Sequence, residues 1–342
     1  MAANDELADI EYTAPVLPTQ FSSRRHFAYV QLFEYSEKSC ARWLYKLAAT
    51  QEVSRRGAFA ACGGSYVAHI YPDGDLERLK IVADMFSAGV FIDDLIDNTT
   101  DTAIVSDLVS KYRAIVAGSP IGDARFDSML RLYTNPCWNR EALHILRAEA
   151  NRYLESTLVL RAIEAEQRKV SVEEYLESRA TNVYMGVEYC IIAFAVPALA
   201  ESLVQISTSR PQVFRRALIY SGTCMGLLAD LYKINGEHSE ICEYTNIVKI
   251  LQRQSQVPLS LPHAMDQVVR IFHEYEKRLA AVLEQIALLS PILAKAMEHV
   301  HAGTVVWLGT MRGDRYARRM SAASSTQESH TFTTAPNCMG VD

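Results

Sequence analysis

The sequence predicts an all-α chain folded as one domain, and three observations predict it. Apolar residues recur at spacings of three and four, as in Val30, Phe33, Trp43, Leu44 and Leu47, which is the period of a helix with one buried face. No sustained apolar–polar alternation marks a strand, and no Asn-Gly hairpin signal lies between β-branched runs. Helix boundaries are also written in the chain: Ser171-Val172-Glu173-Glu174 is a capping box, in which Ser and Glu three apart satisfy the free N–H groups of a first turn.

Residues 1–25, with Pro15, Pro18 and Ser22-Ser23, read as an irregular lead-in. The domain runs over 26–320, and the Ser- and Thr-rich tail over 321–342 is expected to be disordered. A first helix covers about 26–52. Gly63-Gly64 and Tyr71-Pro72-Asp73-Gly74 punctuate the chain before the next, over 79–96, for which Asp73 or Asp75 supplies the N-cap. Asn98-Thr99-Thr100-Asp101 ends that pattern. Helices then follow over 103–117, 124–133 and 139–166, separated by Gly118-Ser119-Pro120 and Asn135-Pro136. The capping box starts another through Tyr175, Leu176 and Arg179. Further helices cover 184–205, kinked at Pro197, then 211–236, 262–289 and 292–319. Asn235-Gly236 stops the second of these. The total is about ten helices.

A chain of 342 residues with 49% hydrophobic residues can bury a large core. Its net charge of −6, with both signs interspersed, leaves no basic footprint for nucleic acid. The seven cysteines are scattered without a CxxC pair, which favours reduced thiols in a cytoplasmic protein over disulfides or structural zinc. The N-terminal residues lack an apolar signal core, and no run reaches the ~18–20 apolar residues of a membrane span.

The most informative stretch is Phe91-Ile92-Asp93-Asp94-Leu95-Ile96-Asp97-Asn98. It closes the apolar helix over 79–96. Asp93 and Asp97 stack one turn apart, with Asp94 beside them. Acids at a helix C-terminus oppose the macrodipole by roughly 0.3–1 kcal/mol each. Ordinarily such acids are solvated. Here they follow directly on Met85-Phe86-Ser87-Ala88-Gly89-Val90, which reads as the wall of an apolar cavity. Mg2+ suits them, since it takes hard oxygen ligands shared between one or two carboxylates and substrate phosphates.

A second constellation is Ala229-Asp230-Leu231-Tyr232-Lys233-Ile234-Asn235-Gly236-Glu237. Arg179 lies fifty residues before its start, and Trp307 and Arg315-Tyr316 lie in the final helix. With these motifs in this order over about residues 70–320, the chain resembles the class I terpene cyclases of fungi and bacteria. That family carries Asp-Asp-x-x-Asp at one helix end and Asn-Asp-x-x-Ser-x-x-x-Glu on a facing helix. An arginine that senses diphosphate precedes the second motif, and an Arg-Tyr pair closes the chain. The resemblance implies an α-helical bundle around a central cavity.

Against the family pattern, Ala229 replaces the Asn and Lys233 replaces the Ser. Neither is a metal ligand, because alanine has no donor atom and a lysine ammonium accepts nothing. An alternative register places Asn235, Ser239 and Glu243 at the ligand spacing, but Gly236 interrupts a helix there. The first register is preferred, and Lys233 is then expected to contact the diphosphate as a point charge.

The resemblance further implies Asp93, Asp94, Asp97 and Glu237 as Mg2+ ligands. It implies Arg179, Arg315 and Tyr316, with Lys233, as diphosphate contacts, and Phe86, Phe91, Tyr184 and Trp307 as the aromatic wall. The expected partner is farnesyl diphosphate, and the expected product is a hydrocarbon of humulene type. A homodimer is compatible with the resemblance. The competing expectations are a prenyl chain-elongating synthase, which needs a second aspartate-rich motif that is absent, and a non-catalytic isoprenoid-binding descendant of the fold.

Overall fold

The computed structural model describes residues 17–44, 62–234, 242–254 and 259–315. Among them the chain forms thirteen α-helices, one 3-10 turn and no strand. In order they are α1 (Tyr29–Leu44), α2 (Gly63–Ile70), α3 (Leu76–Asp97), α4 (Thr102–Ala117), α5 (Asp127–Tyr133), α6 (Arg140–Ala165), α7 (Val172–Asn182), α8 (Met185–Ala195), the 3-10 turn Pro197–Leu199, α9 (Ala200–Ser209), α10 (Pro211–Lys233), α11 (Ile247–Gln254), α12 (Leu261–Ala287) and α13 (Pro291–Arg315). No single described helix is long and apolar enough to cross a membrane.

The acidic helix α3 begins where expected. Asp75, not Asp73, is its N-cap, accepting from the Arg78 N–H at 3.0 Å. Ser171 is the N-cap as expected, the Glu174 N–H donating to its Oγ at 3.1 Å, while the Glu174 carboxylate pairs with Arg168.

Three elements depart from the sequence reading. Gly63-Gly64 is not a break but the start of α2, whose eight residues are all buried. A Cβ on Gly63 would stand 2.2 Å from the Ala83 carbonyl oxygen, and one on Gly64 would stand 2.0 Å from that of Leu32. The pair therefore lets α1 and α3 close on α2 from both sides.

The helix expected over 184–205 is broken. Proline disfavours helical conformation in the residue before it and has no N–H to give. Val196 accordingly sits at φ −124, ψ 83, and the direction turns by 110° between the segments on either side. The third departure is α11, to which the sequence reading assigns no element. Ile247, Val248 and Ile250 bury its inner face, and Asn246 Oδ1 accepts from the Val248 N–H at 3.0 Å to start it.

What positions the site is the contact of α7 with α10. Gly222 on α10 lies against the Ala180 carbonyl oxygen, which a Cβ would meet at 1.9 Å. One turn on, Gly226 lies under the aliphatic stem of Arg179, with a Cβ-to-Cγ distance of 2.7 Å. Gly222→Ala should therefore push the two helices apart and cost about 1–3 kcal/mol, the usual range for overpacking. Chemical denaturation checks this, and a stability equal to wild type would show that the close approach is not required.

Candidate active site

Helices α2, α3, α4, α6, α7, α8, α10 and α13 surround one chamber, whose empty space is ≈ 970 Å³ counted with its open mouth. Its inner part is aromatic. Tyr66 stacks on Phe86 with centroids 4.0 Å apart, and the Trp307 ring stands 4.6 Å from Tyr66 and 5.6 Å from Phe86. Tyr184 meets Tyr153 edge-on at 4.9 Å, and its hydroxyl hydrogen-bonds with that of Tyr112. Rings in such offset and edge-on arrangements pack favourably and present π faces to whatever occupies the space.

The mouth is charged. Asp93 and Asp97, at the C-terminal end of α3, line the chamber. The Tyr153 hydroxyl donates to Asp93 Oδ1 at 3.0 Å. From α10, Lys233 reaches across to Asp97, Nζ to Oδ2 2.9 Å, so the C-termini of both helices meet at one rim. Burial, the largest single influence, lowers the pKa of the Lys233 ammonium and Arg179 adds to this, but the negative groups around it, Asp97 foremost and then Asp93, together hold it above its ordinary value.

A smaller polar recess adjoins the chamber and shares Asp93, Asp97, Arg179, Asn182 and Lys233 with it. Arg179 is fixed there by two partners, donating to Asp230 Oδ1 at 2.9 Å and to Asn182 Oδ1 at 2.7 Å. Burial, the largest single influence, pulls the Arg179 pKa down, and the groups around it, Asp230 foremost with Tyr175 and Asp97, together more than reverse this. Asp230 itself is 2% exposed. Its Oδ2 accepts from the Tyr175 hydroxyl at 2.6 Å and from the Ile247 N–H at 3.0 Å. It is thus a buried tie between α7, α10 and the start of α11, of the kind that is strongly destabilising to break from one side.

Of the residues singled out from the sequence, Asp93, Asp97, Phe86, Arg179, Tyr184, Trp307 and Lys233 come together on this chamber, as does Ala229 at the position of the missing ligand. Two expectations are corrected. Asp94 is buried, 4% exposed, and does not line the chamber; successive helical residues point about 100° apart, so it cannot share the face of Asp93. Phe91 is fully buried against Trp43 on the α1 side, centroids 5.2 Å apart, and not on the chamber wall. Lys233 is no surface residue, with a side chain only 15% exposed. Glu237, Asn235, Ser239 and Tyr316 lie outside the described residues. Arg315 is the last residue of α13. Glu243 pairs with Lys249 and Arg253 instead.

The sequence reading missed Tyr66, Tyr112, Tyr153, Asn182 and Glu188, all on the chamber wall. Glu188 is 5% exposed and accepts a short hydrogen bond from the Tyr66 hydroxyl. Burial pushes its carboxyl up to about 8, against the opposing pull of that hydrogen bond.

The carboxylate oxygens of Asp93 and Asp97, one helical turn apart, are the hard donors a divalent cation takes. Two helix C-termini add negative potential at the same place. The donor set therefore fits such a cation, with the remaining positions left to water and to a phosphorylated ligand. Among the described residues no three His, Cys, Asp or Glu side chains group as a self-sufficient metal cage.

The chain is similar to known proteins in family and in fold. The family model for terpene synthase family 2, C-terminal metal binding, matches residues 84–278. The fold is similar to that of the ancestrally reconstructed protein SVS_A2, with a TM-score of 0.72, 13% identity and coverage of 91% of this chain and 94% of that one. It is also similar to hedycaryol synthase, solved in complex with nerolidol, with a TM-score of 0.67, 13% identity and coverage of 86% and 100%. The T181N variant of cucumene synthase gives a TM-score of 0.70, 14% identity and coverage of 88% and 100%. No curated protein matches the chain in sequence.

The raised Glu188 pKa has a consequence for stability. A carboxyl titrating near 8 in the folded chain against 4.5 in the unfolded one contributes stability that is complete below pH 4.5 and is lost as pH rises through 8. Wild type should therefore lose stability relative to Glu188→Gln between pH 5 and 9. Thermal unfolding of both proteins across that range checks this, and parallel curves would contradict it.

Proposed function

The chain belongs to terpene synthase family 2, and from that premise we propose that it is a Mg2+-dependent sesquiterpene cyclase. It would ionise farnesyl diphosphate, close the allyl cation into a ring of humulene type, release the hydrocarbon and leave inorganic diphosphate. The observation that carries this reading is the convergence of Asp93, Asp97, Arg179 and Lys233 on the mouth of one aromatic chamber.

Asp93 and Asp97 would hold Mg2+, with Glu237 as a further ligand. When bound, the metal would supply Lewis-acid stabilisation of the departing diphosphate. The chain's own groups act alongside it. The substrate carries about three negative charges, which the recess meets with two fixed cations. Arg179 is pre-oriented by Asp230 and Asn182, so little reorganisation accompanies charge development; preorganised electrostatic stabilisation of this kind is usually the largest catalytic term. Lys233 would leave Asp97 for a diphosphate oxygen, and Asp97 would be released to the metal. The ammonium thereby stands in for the ligand that Ala229 and Lys233 themselves remove.

As the C–O bond breaks, its electron pair leaves with the diphosphate and an allyl cation remains. Water would quench that cation, so the chamber must be dry. The faces of Phe86, Tyr66, Tyr184 and Trp307 stabilise positive charge by roughly 0.5–2 kcal/mol each. Attack on the first carbon by the distal double bond closes an eleven-membered ring, and transfer of a proton from the ring cation to an oxygen of the released diphosphate gives the neutral olefin. The nerolidol complex of hedycaryol synthase supports an isoprenoid chain as occupant of this fold.

The Asp97–Lys233 pair also favours a second reading, since in a binding protein that has lost its metal the lysine would neutralise the old site permanently. One assay separates these. Purified protein with farnesyl diphosphate and Mg2+ should release a volatile hydrocarbon, detected by gas chromatography. Asp93→Ala should lower turnover at least about 100-fold, as removal of a group stabilising transition-state charge does. Lys233→Ser should lower kcat by about tenfold or more with Mg2+ present. Hydrocarbon production that survives Asp93→Ala would end the metal-site assignment, unchanged turnover in Lys233→Ser would end the role given to the lysine, and consumption of isopentenyl diphosphate would identify a chain-elongating synthase.

A further inference from the structure

One titratable group on the chamber wall has no part in ionisation. Glu188 lies on α8, 5% exposed, and lines the aromatic end of the chamber. Its surroundings assign the two carboxyl oxygens different tasks. Oε1 accepts the Tyr66 hydroxyl hydrogen. Tyr66 has one hydrogen to give, and its other hydroxyl neighbour, Thr304 at 3.3 Å, donates its own to the Val300 carbonyl oxygen at 2.8 Å. Oε2 is buried and has no hydrogen-bond partner among the described residues. An ionised carboxylate with one bare oxygen in such surroundings is costly. A neutral carboxyl with its hydrogen on Oε2 is the form this geometry accommodates, and the raised pKa agrees with it.

The position of this group matters as much as its state. Tyr66 holds Glu188 and stacks on Phe86, seven residues before Asp93 on α3. At 1.5 Å per residue that is about 10 Å deeper along the helix than the metal position. A diphosphate held at the mouth is too far away to exchange protons with carbons at this depth. The only carboxyl beside the faces of Tyr66, Phe86 and Trp307 among the described residues is Glu188.

We propose that Glu188 is the proton-transfer residue of a second stage of the cyclisation, protonating the neutral olefin of the first ring closure and recovering a proton at the end. The inference rests on the cyclase reading given above and extends it: the humulene-type olefin becomes an intermediate, and the released hydrocarbon is its second-stage product. In the first step the Oε2–H bond breaks while the π pair of a ring double bond forms a C–H bond. This leaves the adjacent carbon cationic over the aromatic faces and Glu188 as carboxylate. A remaining double bond then attacks that cation across the ring, forming a C–C bond and moving the positive charge. Finally a C–H bond next to the new cation gives its proton to Oε2, its electron pair becoming the product double bond. Protons and electrons balance with no co-reactant. Keeping the acid neutral until the olefin is in place also prevents a carboxylate from capturing the first cation as an ester. Tyr66 is a positioning residue here: its hydrogen bond occupies Oε1 and leaves Oε2 as the oxygen that carries the hydrogen.

The test is turnover of farnesyl diphosphate with Mg2+ in D2O, with mass analysis of the hydrocarbon. The wild-type product should carry one deuterium, because the Glu188 hydrogen exchanges with solvent before substrate binds. The Glu188→Gln product should carry at least about tenfold less and shift towards the olefin of the first ring closure. Glu188→Asp, which keeps an acid but withdraws it by one methylene, and Tyr66→Phe, which keeps the ring but frees Oε1, should each give an intermediate deuterium fraction. Either serves if the glutamine variant does not fold. A wild-type hydrocarbon free of deuterium, or equal deuterium in Glu188→Gln, would overturn the inference while leaving the cyclase reading standing. Absence of any hydrocarbon would instead remove the reading on which it rests.

Discussion

The functional end of this molecule depends on one charge pair, Lys233 Nζ against Asp97 Oδ2 at 2.9 Å. It joins the C-terminus of α10 to that of α3, two helix ends whose dipoles both put negative potential at the same rim. A carboxylate there is poorly placed for helix stability and needs a cation. The chain supplies one in Lys233, and the same position suits a divalent metal. That exchangeability, one cation standing in for another, is the physical core of the site. It explains why a lysine is tolerable where the terpene synthase second motif carries a ligand.

Behind the rim the energetics change sign. The mouth is built from charges that polar ligands satisfy, and the chamber behind it from rings that repel water and attract positive charge. Arg179 marks the boundary. Its stem packs on Gly226, its guanidinium is tied to Asp230 and Asn182, and Asp230 is in turn held by Tyr175 and the Ile247 N–H. The recess is therefore rigid before any ligand arrives. Glu188 is the exception to the division, an acid on the aromatic side whose burial favours the neutral form.

Much of this was legible in the sequence where the signal was local. Helical period, the Asp75 cap and the Ser171 cap are short-range, and all reappear in the structure. Asp93 and Asp97 could be paired because i and i+4 share a face. Asp94 fails by the same geometry, as does Phe91, five residues from Phe86 and therefore on another side of α3. Gly63-Gly64 looked like punctuation because glycine carries two meanings, a turn and a close approach, and only the packing of α1 and α3 on α2 decides between them. Tyr66, Tyr153 and Glu188 were not legible at all. They arrive on α2, α6 and α8, and nothing in their local sequence says that these helices face one chamber. Their roles are set by what they touch.

In the proposed function a metal and the chain's cations grip one diphosphate at the α3–α10 rim. The most direct measurement is a crystal structure of the protein with Mg2+ and inorganic diphosphate. The metal is expected on Asp93, with diphosphate oxygens contacted by Arg179 and by a Lys233 ammonium that has left Asp97. Diphosphate bound elsewhere, or Lys233 still paired with Asp97 and no metal on Asp93, would contradict it.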